Sequence, residues 1–132
     1  MNIVGLSHFN ITAPREMLER VRDFYVEVLG LAVGRRPAFT REGFWLYAGA
    51  EPLVHLTACD ADDPRGGGAH GPGFFDHVAF SVSGLAGALE RLRRSGVPYE
   101  LAEVSSLGQV QVFLRDPAGV GVELNFVGER PE

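Results

Sequence analysis

Two short segments of this chain share one alternating pattern and carry a histidine at the same place in it. In residues 76–82 apolar side chains alternate with small or polar ones, and His77 lies on the polar side. Residues 7–12 repeat the alternation with His8 in the equivalent place. Alternation with a period of two is typical of a strand that packs one side against a core. The duplication therefore predicts two similar halves whose opening strands each present a histidine.

The first half has the pattern of a strand, a helix and three further strands. The opening strand is predicted at about 3–12, and Pro14 is placed as an early helical residue. Apolar residues then recur at three- and four-residue spacing as far as Gly30, which is expected to end the helix. Short strands are predicted at about 31–36, 43–49 and 53–59, with turn residues at 49–52 between the last two.

The second half repeats this order after a connecting segment. Residues from about 60 to 75 are rich in Gly, Asp, Pro and Arg and have no periodicity, so they are interpreted as a linker, and His70 as an exposed residue within it. Ser83 is placed as the cap of a second helix that ends at Gly96. Strands are predicted at about 97–103, 109–115 and 120–127.

Length and composition limit the kind of protein that this sequence encodes. The 132 residues are enough for one domain with a buried core, with module 1 at about 1–60 and module 2 at about 76–128. A formal net charge of −5 and the lack of a basic run argue against nucleic acid as a partner. No apolar run is long enough to cross a membrane, and the single cysteine, Cys59, cannot form an internal disulfide. We therefore expect a cytoplasmic protein that associates with neither nucleic acid nor membrane.

Four side chains that can bind a metal ion occupy two equivalent pairs of positions. His8 and His77 belong to the opening strands of the two halves, and His55 and Glu123 belong to the closing strands. Apolar neighbours flank both closing-strand residues, so the polar side chain should point away from the helix-packed side. A single histidine in such a strand is usually structural, but four ligands at matching positions favour a site. Imidazoles with one carboxylate suit a divalent first-row metal and leave room for water or substrate.

Together these features resemble the vicinal oxygen chelate superfamily, which includes glyoxalase I, fosfomycin-resistance enzymes, methylmalonyl-CoA epimerase, extradiol dioxygenases and bleomycin-resistance proteins. The resemblance covers nearly the whole chain. It is carried by the two histidine strands, by residues 24–31 (FYVEVLGL) and by residues 115–124 (RDPAGVGVEL). It implies an α+β fold of two repeated βαβββ modules that form a curled mixed sheet around a metal site, with the helices on the outer face.

The resemblance also implies a cofactor and an assembly. One divalent metal per site is expected, with Zn, Ni, Co, Mn or Fe as the candidates. In short two-module members the site forms across a homodimer. His8 and His55 of one chain are therefore expected to meet His77 and Glu123 of the other.

Strand parity assigns further residues to the side of the sheets that carries the proposed ligands. This side is expected to present three aromatic rings, two glutamines, one arginine and several small polar groups. Such a surface suits a small, partly apolar molecule that offers oxygen atoms to the metal and an anion to the arginine. The predicted pocket residues are Asn10, Thr12, Trp45, Tyr47, Thr57, Cys59, Ser81, Gln109, Gln111, Phe113, Arg115 and Asn125.

Three functions remain open within this resemblance. The first is a glyoxalase-like lyase or isomerase, in which the metal polarises vicinal oxygens of a small substrate and Glu123 moves a proton. In this chain Thr12 and Cys59 replace the residues that glyoxalase I uses for glutathione. The second is an iron-dependent dioxygenase, although the catalytic tyrosine of the extradiol enzymes corresponds to Phe113. The third is a ligand-binding protein of the bleomycin-resistance type, a class that usually lacks the metal ligands.

Overall fold

The computed structural model describes residues 1–63 and 75–131. The chain divides into two compact units, Met1–Ala69 and His70–Glu132. Each unit contains one four-stranded mixed sheet and one main helix, so the predicted α+β class is confirmed. The predicted linker at about 60–75 falls largely outside the described residues, as does His70.

Unit 1 has the predicted order of one strand, one helix and three strands. Its sheet runs β1-β4-β3-β2, with β1 parallel to β4 and the other pairs antiparallel. The helix α1 continues into a π-helical turn over Phe24–Val28, and the chain reverses at Gly30, whose φ of +82° favours glycine. The elements are β1 (Phe9–Pro14), α1 (Arg15–Asp23), β2 (Ala32–Gly34), β3 (Gly43–Ala48) and β4 (Glu51–Cys59).

Unit 2 repeats this arrangement. Its sheet runs β5-β8-β7-β6, with β5 parallel to β8 and the other pairs antiparallel. A short 3-10 turn at Ser105–Leu107 joins β6 to β7. The elements are β5 (His77–Val82), α2 (Leu85–Ser95), β6 (Glu100–Val104), β7 (Gln109–Arg115) and β8 (Gly121–Val127).

The register of the two sheets supports the repeat at the level of single residues. In each unit the closing strand pairs in parallel with the opening strand. On the other side, His55 of β4 lies opposite Trp45 of β3, and Glu123 of β8 lies opposite Phe113 of β7. His55 and Glu123 therefore occupy equivalent places in two modules of the same topology.

The boundaries of several elements differ from those expected from the sequence. β1 begins at Phe9 and not at about residue 3, because pairing with β4 covers only Phe9–Pro14. Pro14 is the last strand residue before α1 and has an extended ψ of 148°, so its placement inside the helix was wrong. β2 is reduced to Ala32–Gly34, and β6 begins at Glu100, since their ladders extend no further.

The start of α2 is capped from the end of the chain and not by Ser83. The residue at the N-cap is Gly84, whose φ of +86° lies in the left-handed region and which has no side chain to accept a hydrogen bond. The two carboxylate oxygens of Glu129 accept hydrogen bonds from the backbone N–H groups of Gly84 and Leu85, at 2.9 and 2.7 Å. A carboxylate in this place satisfies free N–H groups and interacts favourably with the helix dipole.

Each sheet buries one of its faces. In unit 1, Val54 and Leu56 of β4 are fully buried, as is Val21 of α1, which packs against this sheet. In unit 2 the corresponding face is built mainly from apolar residues of β7 and β8, with Leu92 of α2 buried as well. Within the described ranges, no helix combines the length and the apolar character needed to span a bilayer.

Candidate functional site

The closing strand of unit 1 shows the alternation that the sequence predicted. Val54 and Leu56 have no exposed area, whereas His55 between them is only half-buried. Consecutive side chains of a strand point to opposite faces. His55 therefore lies on the face away from α1, together with Trp45, which is its cross-strand partner.

His8, His55 and Trp45 form a stack of three rings. The ring centroids of His8 and His55 are 3.7 Å apart with an interplanar angle of 16°, and those of His55 and Trp45 are 4.1 Å apart with an angle of 9°. His8 lies just before β1 and is exposed, and its Nδ1 is 3.0 Å from the Ser7 hydroxyl oxygen. The imidazole of His55 is thus held between two flat rings.

The surroundings of His55 favour the neutral form of its imidazole. Burial lowers the pKa of His55, and the charges of His8 and Arg36 lower it further, while a hydrogen bond to the Pro52 backbone acts in the opposite direction. Proline has no N–H, so His55 donates this hydrogen bond to the Pro52 carbonyl. Its Nε2 is buried and has no hydrogen-bond partner in the described part of the chain. The Nε2 atom of His55 is therefore a hydrogen-bond acceptor that receives no hydrogen bond from the described residues.

The orientation of the two rings limits what the His8–His55 pair can do as it stands. A metal ion lies in the plane of an imidazole ring, along the lone pair of the nitrogen. Two parallel rings in a stack therefore direct their lone pairs to different points. His8 is exposed, so a change of its rotamer can bring its ring out of the stack.

In unit 2, His77 and Glu123 are in direct contact. Nε2 of His77 is 3.0 Å from Oε2 of Glu123, and Nδ1 of His77 is 2.7 Å from Oδ2 of Asp76. The second carboxylate oxygen of Glu123 accepts a hydrogen bond from Nε2 of Gln111 at 2.8 Å. Glu123 is buried, with 6% of its area exposed, so these contacts compensate for the loss of water around its charge.

The contacts of His77 favour its charged form in this structure. The hydrogen bond to Asp76 is the largest effect that raises the pKa of His77, and the charges of Glu123 and Asp76 raise it as well, whereas burial opposes them. The same hydrogen bond lowers the pKa of Asp76. Each ring nitrogen of His77 thus contacts a carboxylate oxygen, one from Asp76 and one from Glu123. Two carboxylates in these places stabilise a positive charge, either on the imidazole or on a bound cation.

The predicted ligands are present as two pairs, one in each unit. Among the described residues, no group of three or more His, Cys, Asp or Glu side chains is close enough to hold a metal ion. Neither unit by itself supplies the complete ligand set that the sequence predicted.

An open cleft of about 460 Å³ lies beside the ring stack in unit 1. Four predicted residues line it, namely Asn10, Trp45, His55 and Thr57. Thr12 donates a hydrogen bond to Oδ1 of Asn10 at 2.8 Å, and Nδ2 of Asn10 donates to the Thr57 hydroxyl at 2.9 Å. These bonds fix the polar wall of the cleft. We refer to it below as the unit 1 cleft.

The other wall of the unit 1 cleft comes from the loop between β2 and β3, which sequence reasoning did not include. Arg36, Phe39, Thr40 and Arg41 line the cleft from this loop. The loop lacks periodicity, and part of it was assigned to the strand predicted at 31–36. The signal in the sequence was the presence of three arginines and an aromatic residue in the short connection at 35–42, close to the predicted ligand strands.

A second open cleft, of about 670 Å³, lies in unit 2 where β5 begins and β7 ends. Among the predicted residues it is lined by His77, Phe113 and Arg115. The Arg115 side chain also donates to the Gly119 carbonyl at 3.1 Å, across the turn that precedes β8. Tyr99, from the segment before β6, lines this cleft and was not predicted.

The remaining predicted pocket residues have varied surroundings. Tyr47 donates its hydroxyl proton to the Arg35 carbonyl at 2.5 Å and covers Gly34, where an added Cβ would lie 2.5 Å from the Tyr47 ring. A register shift between Leu46 and Tyr47 places Tyr47 opposite Pro52. Cys59 and Gln109 are half-buried at strand ends, Ser81 is exposed on β5, and Asn125 has a buried Oδ1 without a partner in the described ranges.

Comparison with known proteins identifies the family. A family model described as the glyoxalase/bleomycin resistance protein/dioxygenase superfamily matches residues 5–124. The chain belongs to this superfamily. Its members bind small molecules, commonly form dimers and typically bind a divalent metal. A search of curated proteins found no match.

Solved structures of several other proteins share the fold. A glyoxalase family protein from Bacillus anthracis is 22% identical, with a TM-score of 0.74 and coverage of 96% of this chain and 98% of that one. TnmS3, an antibiotic binding protein from Streptomyces, is 20% identical, with a TM-score of 0.68 and coverage of 96% and 98%. A lactoylglutathione lyase from Agrobacterium tumefaciens is 20% identical, with a TM-score of 0.66 and coverage of 96% of both chains. At these identities the similarity shows the fold alone.

Proposed function

We propose that this protein is a divalent-metal-dependent enzyme of the glyoxalase-like lyase or isomerase type. It acts on a small substrate that binds the metal through two neighbouring oxygen atoms. His8, His55, His77 and Glu123 hold the ion. The observation that carries the proposal is the equivalence of His55 and Glu123 in two modules of the same register, each paired with a histidine at the start of its opening strand.

The state of His55 fits a metal ligand. Metal ions bind the neutral imidazole, and the effect of burial on the pKa of His55 favours that form. Metal-binding histidines usually donate their other nitrogen to a carbonyl or carboxylate, which fixes the tautomer. His55 donates to the Pro52 carbonyl, and its buried Nε2 has no partner among the residues that the structure describes. A bound cation would remove the cost of about 1–3 kcal/mol that such an unpaired buried group carries.

The His77–Glu123 pair fits as well. Nε2 of His77 and Oε2 of Glu123 are 3.0 Å apart, so the two potential ligand atoms are within hydrogen-bond distance of each other. Asp76 holds the far nitrogen of His77, and Gln111 holds the far oxygen of Glu123. These outer contacts orient the two groups in the manner of residues that support a metal site.

The proposed chemistry assigns a role to each residue around Glu123. When bound, the metal supplies Lewis-acid polarisation of the substrate oxygens. Glu123 accepts a proton from a carbon atom of the substrate and returns it to a neighbouring position. Gln111 keeps one carboxylate oxygen engaged at 2.8 Å, so the other remains directed to the site. Trp45 and Phe113, which lie opposite the two closing-strand ligands, add apolar surface beside the reacting groups.

The proposal includes a homodimer in which each site takes one pair of ligands from each chain. It is supported by the presence of only one pair per unit in the described residues and by the dimers that are common in this superfamily. With two-fold symmetry, such a dimer has two equivalent sites.

A second candidate function is metal-free binding of a flat ligand. The ring stack favours it, because stacked imidazoles direct their lone pairs to different points and present aromatic faces instead. The fold is also that of an antibiotic binding protein, TnmS3. A third candidate, an iron-dependent dioxygenase, is distinguished from the first by oxygen consumption with Fe(II).

Solvent exchange tests the proposed reaction type. The metal-loaded protein is incubated in heavy water with a panel of small α-hydroxycarbonyl compounds, and NMR follows the replacement of hydrogen by deuterium beside the carbonyl group. We expect exchange that Glu123→Gln abolishes, because the amide retains the shape of the side chain but cannot accept the proton. Glu103→Gln serves as the control, since it makes the same chemical change at an exposed residue of β6. Exchange at the wild-type rate in Glu123→Gln would refute the assigned role.

A further inference from the structure

Arg36 brings a positive charge to the unit 1 cleft, and no carboxylate in the described part of the chain pairs with it. Its Nη2 donates to the Arg41 carbonyl at 3.0 Å, and its guanidinium carbon lies 4.8 Å from the centroid of the Phe39 ring. Its Nε is buried and has no hydrogen-bond partner within residues 1–63 and 75–131. Among the described residues, no carboxylate is within ion-pair distance of Arg36.

The surroundings of Arg36 hold the guanidinium in place. The Arg41 backbone and the Phe39 ring fix the group from two sides, so little conformational freedom is left to lose when a ligand binds. A partly buried guanidinium with an unpaired N–H is costly unless a negative group reaches it. Arg41, the other arginine of the cleft, differs because it lies 3.7 Å from a carboxylate oxygen of Asp63.

The same cleft offers flat apolar surface next to this charge. Phe39 and Trp45 line it with ring centroids 6.2 Å apart, and the Trp45 ring also stacks on His55. The Thr57 hydroxyl accepts a hydrogen bond from Asn10. The hydroxyl proton of Thr57 can therefore be donated to a ligand. The cleft thus combines an unpaired cation, two aromatic faces and one hydroxyl donor.

We propose that the unit 1 cleft binds the anionic end of a substrate with a flat apolar body, and that Arg36 is the residue that recognises the anion. A carboxylate and a phosphonate share the chemistry that a guanidinium recognises. This inference rests on the proposed function, in which the end of the substrate away from the anion is the end that reacts. The sequence prediction had assigned the anion to Arg115, which lies in unit 2.

Binding of two isosteric probes to metal-free protein tests the role of Arg36. Benzoate and benzamide have nearly the same shape and differ in charge, and phenylphosphonate distinguishes a phosphonate site from a carboxylate site. Trp45 is the only tryptophan of the chain and lines the cleft, so its fluorescence reports occupancy. We expect benzoate or phenylphosphonate to bind about tenfold or more tightly than benzamide, in keeping with a charge-assisted hydrogen bond.

Matched variants locate the charge that is responsible. Arg36→Gln should remove the preference for the anion, and Arg36→Lys should retain most of it. Arg35→Gln is the control, because the exposed Arg35 side chain does not line the cleft and only its backbone carbonyl bonds to Tyr47. An anion preference that survives Arg36→Gln, equal affinity of wild type for the charged and neutral probes, or failure of every probe to bind would each overturn the proposal.

The design separates this proposal from the proposed function. The probes bind without metal, so loss of the metal site leaves the anion preference unchanged. Conversely, the Arg36→Gln variant should still bind metal but should no longer prefer the anionic probe to the neutral one. Should the glutamine variant not fold, the comparison of charged and neutral probes in wild type and in Arg36→Lys still decides the question.

Discussion

Two phenylalanines of unit 2 lie on opposite faces of the same sheet and should respond differently to truncation. Phe126 of β8 has no exposed area, whereas Phe113 of β7 is half-buried and lines the unit 2 cleft. Removing a fully buried phenylalanine costs about 3–5 kcal/mol, through lost apolar burial and the cavity that remains. Phe113→Ala leaves an open surface and not a closed cavity, so we expect a loss of about 1–2 kcal/mol.

Urea unfolding followed by circular dichroism measures both changes. A domain of ordinary stability has about 5–15 kcal/mol in total, so Phe126→Ala should remove a large part of it while Phe113→Ala should not. The slopes against urea must agree between variants for the free energies of unfolding to be compared. Phe126→Leu provides a control that retains most of the buried volume. Equal losses in Phe113→Ala and Phe126→Ala would refute the assignment of the two faces, and with it the residues placed in the unit 2 cleft.

Two further predictions concern His77 and the assembly. The pKa of His77 is raised in the folded protein, so its contribution to stability is complete below the ordinary value of 6.5 and is lost as pH rises through the raised value. In metal-free protein, the free energy of unfolding of wild type relative to His77→Gln should therefore decrease as pH increases, and a difference that is constant from about pH 5 to 9 would contradict this. For the assembly, mixing His8→Ala with His77→Ala chains should restore about a quarter of the metal sites, because half of the statistical dimers contain one site without either lesion. A protein that light scattering shows to be monomeric while fully metallated would refute the shared site.

The fold could be predicted from the sequence because its two modules repeat each other. Alternation around His8 and His77 located the opening strands, and the positions of His55 and Glu123 located the closing ones. The first and last residues of the strands and helices were harder to predict. β1 begins at Phe9 because pairing with β4 starts there, and no local pattern in the preceding apolar residues reveals that limit.

The cap of α2 and the unit 1 cleft show what local patterns could not reveal. Glu129 caps a helix whose N-cap residue, Gly84, lies 45 residues earlier in the chain, and this contact depends on where β8 ends. Arg36 reaches the cleft from an irregular loop, whose course no periodicity specifies. The stack of His8, His55 and Trp45 likewise depends on side-chain rotamers. Strand parity identified the face of the sheet, whereas tertiary contacts determined which groups meet on it.

Metal content is the measurement that tests the central claim most directly. Protein exchanged extensively against buffer with one divalent metal at a time is analysed for bound metal, in wild type and in His8→Ala, His55→Ala, His77→Ala and Glu123→Ala. We predict about one ion per chain in wild type and loss of tight binding in each variant. Glu103→Ala, which removes an exposed carboxylate of β6, is the control that retains the metal. Wild-type protein that retains no metal, or variants that all retain it as wild type does, would contradict the proposed site.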